Sequence, residues 1–280
     1  MEQLAYFKAK KISDRVTRIF AISGELMYLV EGQERAALID TGTGLGNLKE
    51  FVDNLTDKPY FVLLTHGHVD HAMGASAFDE VYMNAADKEI YKDHSEMSVR
   101  TGFIKMNVGE DFHKIKDEDY IPVGGCDSFK PLLPGDVFDL GGIKLEVCIG
   151  AGHTPGMITI LLVEEKTLLL GDACNFFTFL FGDASLGITS YEKSMIELDK
   201  QTKGRYDKVY LSHGDGDAPK EMLGSIIELC EDIKKGNTDD VPFDFMGEKA
   251  FIAKAIDPIN GRRVDGGIGN IVYSKEKVYE

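Results

Sequence analysis

The sequence predicts a mixed α/β fold built as one large domain over residues 1–280. Three observations predict it. Short runs dense in β-branched and aromatic residues, punctuated by glycine, recur along the chain. Apolar residues at helical spacing fall between those runs. An apolar fraction of 43% with 28% charged residues is ordinary for a globular protein, which excludes wholesale disorder. A chain of 280 residues is long enough to bury a substantial core, and it carries no internal repeat and no low-complexity segment.

The elements follow in order. Val16–Ile22, Met27–Val30 and Arg35–Ile39 read as strands, with Gly24 and Gly32 at the turns. Leu45, Leu48, Val52 and Leu55 then recur at helical spacing. Phe61–Leu64, after Pro59, suits a buried strand ending at Thr65. Ile143–Ile149 is a strand leading into a glycine-rich turn at His153, and Ile158–Val163 with Thr167–Leu170 reads as a hairpin ending at Gly171 and Asp172. Ser190 is placed to cap a helix carrying Tyr191, Met195 and Leu198 on one face. Lys208–Leu211 is a strand ending at Ser212 and His213. The next helix has Asp217 as N-cap, Pro219 in its first turn, Met222, Ile226, Cys230 and Ile233 on one face, and Gly236 at its end. Residues 234–242 read as a linker to a C-terminal extension of about 241–280, with strands at Ala250–Ile256 and Gly269–Tyr273. Residues 94–134 break this rhythm. They show no strong strand and only helical spacing of Met97, Thr101, Ile104 and Val108, so they read as a helical insertion that caps a site or contacts a second copy.

Charge and cysteine content narrow the function classes. With 31 basic and 47 acidic residues the net charge is −16, which opposes a nucleic-acid partner or an anionic membrane surface. No apolar run approaches the ~20 residues of a transmembrane helix. Met1–Lys8 lacks the pattern of a secretory signal. The four cysteines (Cys126, Cys148, Cys174 and Cys230) are far apart, and reduced thiols in a cytoplasmic protein are the expectation.

The chemistry gathers at Thr65-His66-Gly67-His68-Val69-Asp70-His71. Three of the chain's seven histidines lie within six residues, directly after a buried strand. Burying that many imidazoles without a partner is costly, whereas imidazole nitrogen is a favoured ligand for divalent ions. His66 and His68 share a face only if extended, and His68 and His71 only if helical, which suits a strand-to-helix turn addressing two metals. Further donors follow other apolar runs: His153 after Ile149-Gly150-Ala151-Gly152, Asp172 after Leu168–Gly171, and His213 after Val209–Ser212. Five histidines and two aspartates suffice for two metals sharing one carboxylate.

THGHVDH at 65–71, GHTPG at 152–156, LLLGDA at 168–173 and LSHG at 211–214 resemble the four metal motifs of the metallo-β-lactamase-fold hydrolases, in their usual order. Ala37–Gly42 resembles that family's early strand. The resemblance implies a four-layer αββα sandwich. It places His66, His68 and His153 on a first ion, Asp70, His71 and His213 on a second, and Asp172 between them. Two divalent ions, zinc first with iron or manganese as alternatives, would lower the pKa of a bridging water so that hydroxide attacks the substrate. Asp70 would orient the nucleophile or receive a proton, and Asp40 would orient the histidine loop through hydrogen bonds.

Pocket candidates come from residues near these motifs. Cys174 lies two residues past Asp172 and reads first as a small buried thiol. Phe176 and Phe177 open an aromatic run that is either core or a wall of the substrate pocket. Tyr191 either donates to a carbonyl or leaving oxygen, in the position of a tyrosine found in similar lactonases, or packs a helix. Met27 is expected in an early turn over the mouth. His94 and His113 are expected to be non-ligands. The expected activity is hydrolysis of an ester-like bond, lactone or thioester, in a small molecule. The alternatives are a phosphodiesterase with the same metals and a mononuclear iron dioxygenase resembling the persulfide dioxygenases. Glutathione is disfavoured, because Gly214–Asp240 holds eight acids against three lysines. A small-molecule partner and a homodimer complete the expectations.

Overall fold

The structure, a computed structural model, describes residues 4–245 and 247–280. It divides into two compact units. Unit 1 is the chain through Leu145 together with Ser212–Gly214, and unit 2 is Glu146–Leu211 with Asp215–Glu280.

Unit 1 is built on a seven-stranded sheet whose order follows the chain: β1 (Phe7–Lys11), β2 (Val16–Ala21), β3 (Leu26–Glu31), β4 (Ala36–Ile39), β5 (Tyr60–Leu63), β6 (Val81–Met83) and β7 (Lys130–Pro131). The first four strands are an antiparallel meander, and β4 to β7 pair in parallel. Parallel pairing requires crossovers, and α1 (Leu48–Asp53) and α2 (Val69–Ala72) lie in two of them. Asn47 caps α1, its Oδ1 accepting from Glu50 N at 3.2 Å. Leu38, Val62, Leu64, Val52 and Tyr91 are among the side chains that fill the core of this unit. The register Ile39↔Leu63 brings Asp40, one residue past Ile39, and Thr65, two past Leu63, to neighbouring strand ends. α3 (Lys88–Ser95), α4 (Met97–Val108) and β8 (Val137–Asp139) complete the unit.

Unit 2 begins within β9 (Lys144–Ile149) and continues through β10 (Ile158–Leu162), β11 (Thr167–Leu169), β12 (Thr178–Leu180), α5 (Ile188–Thr202), β13 (Lys208–Tyr210), β14 (Asp217–Ala218), α6 (Met222–Lys235), β15 (Val241–Phe245), β16 (Glu248–Ile252) and β17 (Ile271–Tyr273). Its first sheet runs β14-β13-β11-β10-β9, and a second sheet runs β12-β17-β16-β15. β10 and β11 form the expected antiparallel hairpin, while β11 and β13 are parallel and joined through α5. Met195, Leu198, Leu223, Ile226 and Ile233 from α5 and α6 pack with Leu161, Leu168 and Val209 of the sheet in one core.

Several expectations are corrected. The α5 helix starts at Ile188 after an extended Gly187, so Ser190 lies inside it and is not its cap. Asp217 pairs in β14 opposite Tyr210, so α6 begins at Met222, beyond Pro219; Gly236 ends it in the left-handed conformation, as expected. β1 was not anticipated, because its residues after Phe7 are exposed and give no burial pattern. Residues 94–134 do contain a strand: β7 adds to the parallel edge beside β6. Of the two readings of the aromatic run, packing holds for Phe177, Phe179 and Phe181, which pack with Val241 and Phe243 of the C-terminal extension, and β12 pairs in parallel with β17. Among the described residues no helix is long and apolar enough to cross a membrane.

Candidate metal-binding residues

Unit 1 gathers five of the seven expected donors. β5 delivers its C-terminal end to Thr65 and His66, and α2 opens with His68 as its N-cap residue. His66 Nε2 lies 3.1 Å from His68 Nδ1. Asp70 Oδ2 lies 3.5 Å from His71 Nε2 and 3.4 Å from His213 Nε2. His213 reaches this group because Ser212 and His213 follow the start of β3: Leu26 N donates to Ser212 O at 2.8 Å, and Glu25 bridges His213 through the backbone.

Asp40 organises these donors. It is 1% exposed and sits at a positive φ of 64°, a conformation that aspartate tolerates better than most residues. Its Oδ2 accepts from His71 Nδ1 at 2.8 Å, and its carboxylate accepts from Thr65 N at 2.7 Å and from Thr65 Oγ1 at 2.8 Å. A hydroxyl has one proton. With that proton directed to Asp40, Thr65 Oγ1 accepts from His66 Nδ1 at 3.0 Å. Both His66 and His71 are thereby held as the Nδ1–H tautomer, and each keeps a lone pair on Nε2. The backbone backs this arrangement, because Thr41 N and Oγ1 both donate to His71 O, at 2.7 and 3.0 Å.

Unit 2 supplies the other two donors. His153 Nδ1 lies 2.8 Å from the Phe179 carbonyl, which can only accept, so this histidine also carries its proton on Nδ1 and its lone pair on Nε2. That Nε2 is 3.9 Å from Asp172 Oδ2, and Asp172 is 7% exposed. Asn175 Nδ2 donates to Asp172 Oδ1 at 3.5 Å. Across both units the donors are imidazole nitrogens and carboxylate oxygens without a thiolate, a set suited to zinc, iron or manganese.

The pocket candidates are dispersed. Tyr191 is fully buried in the core of unit 2, and its hydroxyl donates to the Ala173 carbonyl at 2.6 Å, so it packs a helix instead of meeting a substrate. Cys174 is equally buried against Tyr191 and Met195; burial pushes its thiol up to about 12. Met27 lies in β3 and the core of unit 1, not in an exposed turn. Phe177 packs in the aromatic cluster, while Phe176 is 47% exposed.

Three residues near the histidine loop were not singled out for this role. His94 stacks on His68, with ring centroids 4.7 Å apart and planes 20° apart, and its Nδ1 accepts from Val69 N at 3.0 Å. Asp87, fully buried, accepts from Gly67 N at 3.0 Å; a Cβ on Gly67 would lie 2.8 Å from the Asp87 carbonyl oxygen, so glycine is required there. Glu25, 1% exposed, accepts from Ser23 Oγ and Thr43 N, and burial followed by the charge of Asp70 raises its pKa. Arg100 of α4 reaches the same loop, donating to the carbonyls of Thr43 and Gly44. The insertion is therefore tied to the segment that supports His71. Only His94 carried a sequence signal, as one of few histidines.

The profile of the metallo-beta-lactamase superfamily matches residues 23–213. An acyl-coenzyme A thioesterase of Bos taurus is 28% identical over 189 residues, covering 61% of this chain and 68% of that protein. A hydroxyacylglutathione hydrolase of Haemophilus influenzae is 26% identical over 152 residues, covering 51% and 62%. The chain thus spans about two thirds of the length of these relatives. Among solved structures, a metallo-beta-lactamase from Pontibacter korlensis superposes with a TM-score of 0.55 at 20% identity, covering 79% of this chain and 97% of that one. A sec-alkylsulfatase from Pseudomonas sp. gives 0.62 at 15% identity, covering 82% and 42%. These likenesses show the mixed α/β metallo-beta-lactamase fold. With the profile matched over more than half of its length and the four motifs in order, this chain belongs to the metallo-beta-lactamase superfamily.

Proposed function

We propose that this protein is a dinuclear metal-dependent hydrolase of small-molecule thioesters, with other ester-like bonds such as lactones within its reach. His66, His68 and His153 would hold one ion, Asp70, His71 and His213 the other, and Asp172 would be shared. The observation that carries this reading is the Asp40 network, which leaves Nε2 lone pairs on His66 and His71. A buried carboxylate that sets imidazole tautomers is the usual support of a metal ligand. When bound, such ions, zinc first, would supply the Lewis acidity for attack of water on the acyl carbonyl.

The chain's own residues do the rest. Asp40, directly on His71 and through Thr65 on His66, selects the Nδ1–H tautomer that presents Nε2. His94 and Asp87 fix the backbone of the turn by accepting from Val69 N and Gly67 N. Hydrolysis adds water across the C–S bond to give a carboxylic acid and a thiol, and Asp70 takes up and passes on the proton. A thioester is placed ahead of a lactone because the Bos taurus relative is an acyl-coenzyme A thioesterase. The test is elemental analysis of the purified protein with a panel of thioesters, lactones and phosphodiesters. Two ions per chain and thioester turnover are expected, and Asp172→Ala should abolish that turnover and lower metal content. Wild-type rates in that variant would overturn the shared-ligand assignment.

A further inference from the structure

Unit 2 contains a cavity of about 410 Å³ that the metal residues do not line. Its walls are Phe176, Pro219, Arg262, Arg263, Ile268 and Asn270, with the glycines of the 261–269 segment between them. That volume is in the range of small-molecule sites. The cavity belongs mostly to the C-terminal extension, for which the reading above has no use.

The walls are organised. Arg263 is bound into the loop: Nη2 and Nε donate to Asp265 at 2.6 and 2.9 Å, and Nη1 donates to Gly269 O at 3.2 Å. A Cβ on Gly267 would overlap the Arg263 guanidinium, so a larger residue there would displace that side chain. Ile268 N donates to Ser225 Oγ of α6, and Asn270 is fixed by both backbone groups of Lys254. Arg262 is different. Its guanidinium makes no ion pair or hydrogen bond among the described residues, although the chain holds 47 acids against 31 bases. Phe176 presents a 47% exposed ring to the same cavity. Of the bases in residues 253–275, Lys254, Arg263 and Lys275 are paired with Asp232, Asp265 and Asp240, which leaves Arg262 as the base of this segment without an ion pair among the described residues.

An aromatic face beside an unpaired guanidinium suits a base carrying a phosphate: the ring stacks on the base, and arginine meets phosphate oxygens in a forked geometry. The cavity also adjoins the proposed chemistry. Phe176 is four residues from Asp172, a chain span of at most ~14 Å, and the intervening Asn175 donates to Asp172. The Asn175 carbonyl also packs on the cavity wall, 3.0 Å from where a Cβ on Gly269 would sit.

We propose that this cavity binds the nucleoside-phosphate end of the substrate's leaving thiol, with Arg262 on the phosphate and Phe176 on the base. The substrate class is then an acyl thioester of a nucleotide-bearing thiol such as coenzyme A. The substrate assignment rests on the thioesterase reading, whereas the binding site does not.

Two measurements test it on the full-length protein. Calorimetric titration with adenosine 3′,5′-bisphosphate should give saturable binding, weakened at least tenfold in Arg262→Glu and in Phe176→Ala. In kinetics, the ratio of kcat/KM for a coenzyme A thioester to that for the matching pantetheine thioester should fall at least tenfold in Arg262→Glu. Absence of binding to the wild type, or equal affinity in both variants, would overturn the site. Bisphosphate binding that depends on Arg262, in a protein that cleaves no thioester, would uphold the site and remove the thioesterase reading. An unchanged kinetic ratio would overturn the role in the substrate.

Discussion

Asp40 shows how one side chain governs several others. Directly on His71 and through Thr65 on His66 it selects the tautomer of two imidazoles, and its own backbone sits in the left-handed region. His94, from α3, supports His68 by a different contact, stacking on its ring and accepting from Val69 N. His94→Ala should lower metal affinity or kcat/KM about 10- to 100-fold, the usual cost of losing a group that orients a ligand; metal titration and steady-state kinetics measure it. Glu25 makes a pH prediction. Burial, then the charge of Asp70, raises its pKa above the ordinary 4.5, so the fold favours the neutral carboxyl. That contribution is complete below the unfolded pKa and is lost as pH rises through the folded value. Glu25→Gln should therefore raise the Tm of the metal-free protein at pH 7.5 and have a much smaller effect at pH 4. Equal shifts at both pH values would show that the carboxyl's charge is not the cause.

At the scale of elements, α5 supports the two donor loops of unit 2. The Tyr191 ring lies where a Cβ on Gly152 would be, beside His153, and the Tyr191 hydroxyl holds the carbonyl of Ala173, beside Asp172. One buried tyrosine thus braces both turns, and this use of Tyr191 excludes the substrate contact that its place in the sequence suggested. Gly152→Ala should force the ring to move. A loss of about 1–3 kcal/mol in stability and at least a tenfold fall in kcat/KM are expected, read by chemical denaturation and kinetics. Wild-type values for both would show that the loop has room to spare. Likewise α4, expected only to cap or to meet another copy, uses Arg100 to hold the 43–44 carbonyls.

For the molecule as a whole, the proposed ions link folding to metal. A ligand bound at a hundredfold above its Kd stabilises a fold by about 2.7 kcal/mol. Dialysis against a chelator should then lower Tm by roughly 5 °C and abolish hydrolysis, with both restored by added zinc. A Tm indifferent to chelation would mean that the histidine and aspartate clusters do not bind metal in solution. The net charge of −16 sets the overall sign, but the unpaired Arg262 guanidinium at the cavity shows how little a global sign says about one site.

The family and the mixed α/β fold were legible in the sequence, and so were the seven residues that the structure gathers into two groups of possible ligands, because each depends on local order along the chain. A buried strand ends in a turn, and the turn carries side chains whose chemistry has few other uses. THGHVDH and the three later motifs are such strings. The strands of the central hairpin and the end of α6 were equally readable from apolar runs and glycine. What supports those donors was not legible. Asp87 and His94 reach the histidine turn from more than fifteen residues away, Arg100 reaches Thr43 across 57 residues, and β12 pairs with β17 from the far end of the chain. Hydrogen bonds and packing between distant segments leave no periodic trace in composition. The places of Tyr191, Cys174, Met27 and Phe176 were decided the same way, by which side chains pack in the cores and which one lies at the edge of a cavity.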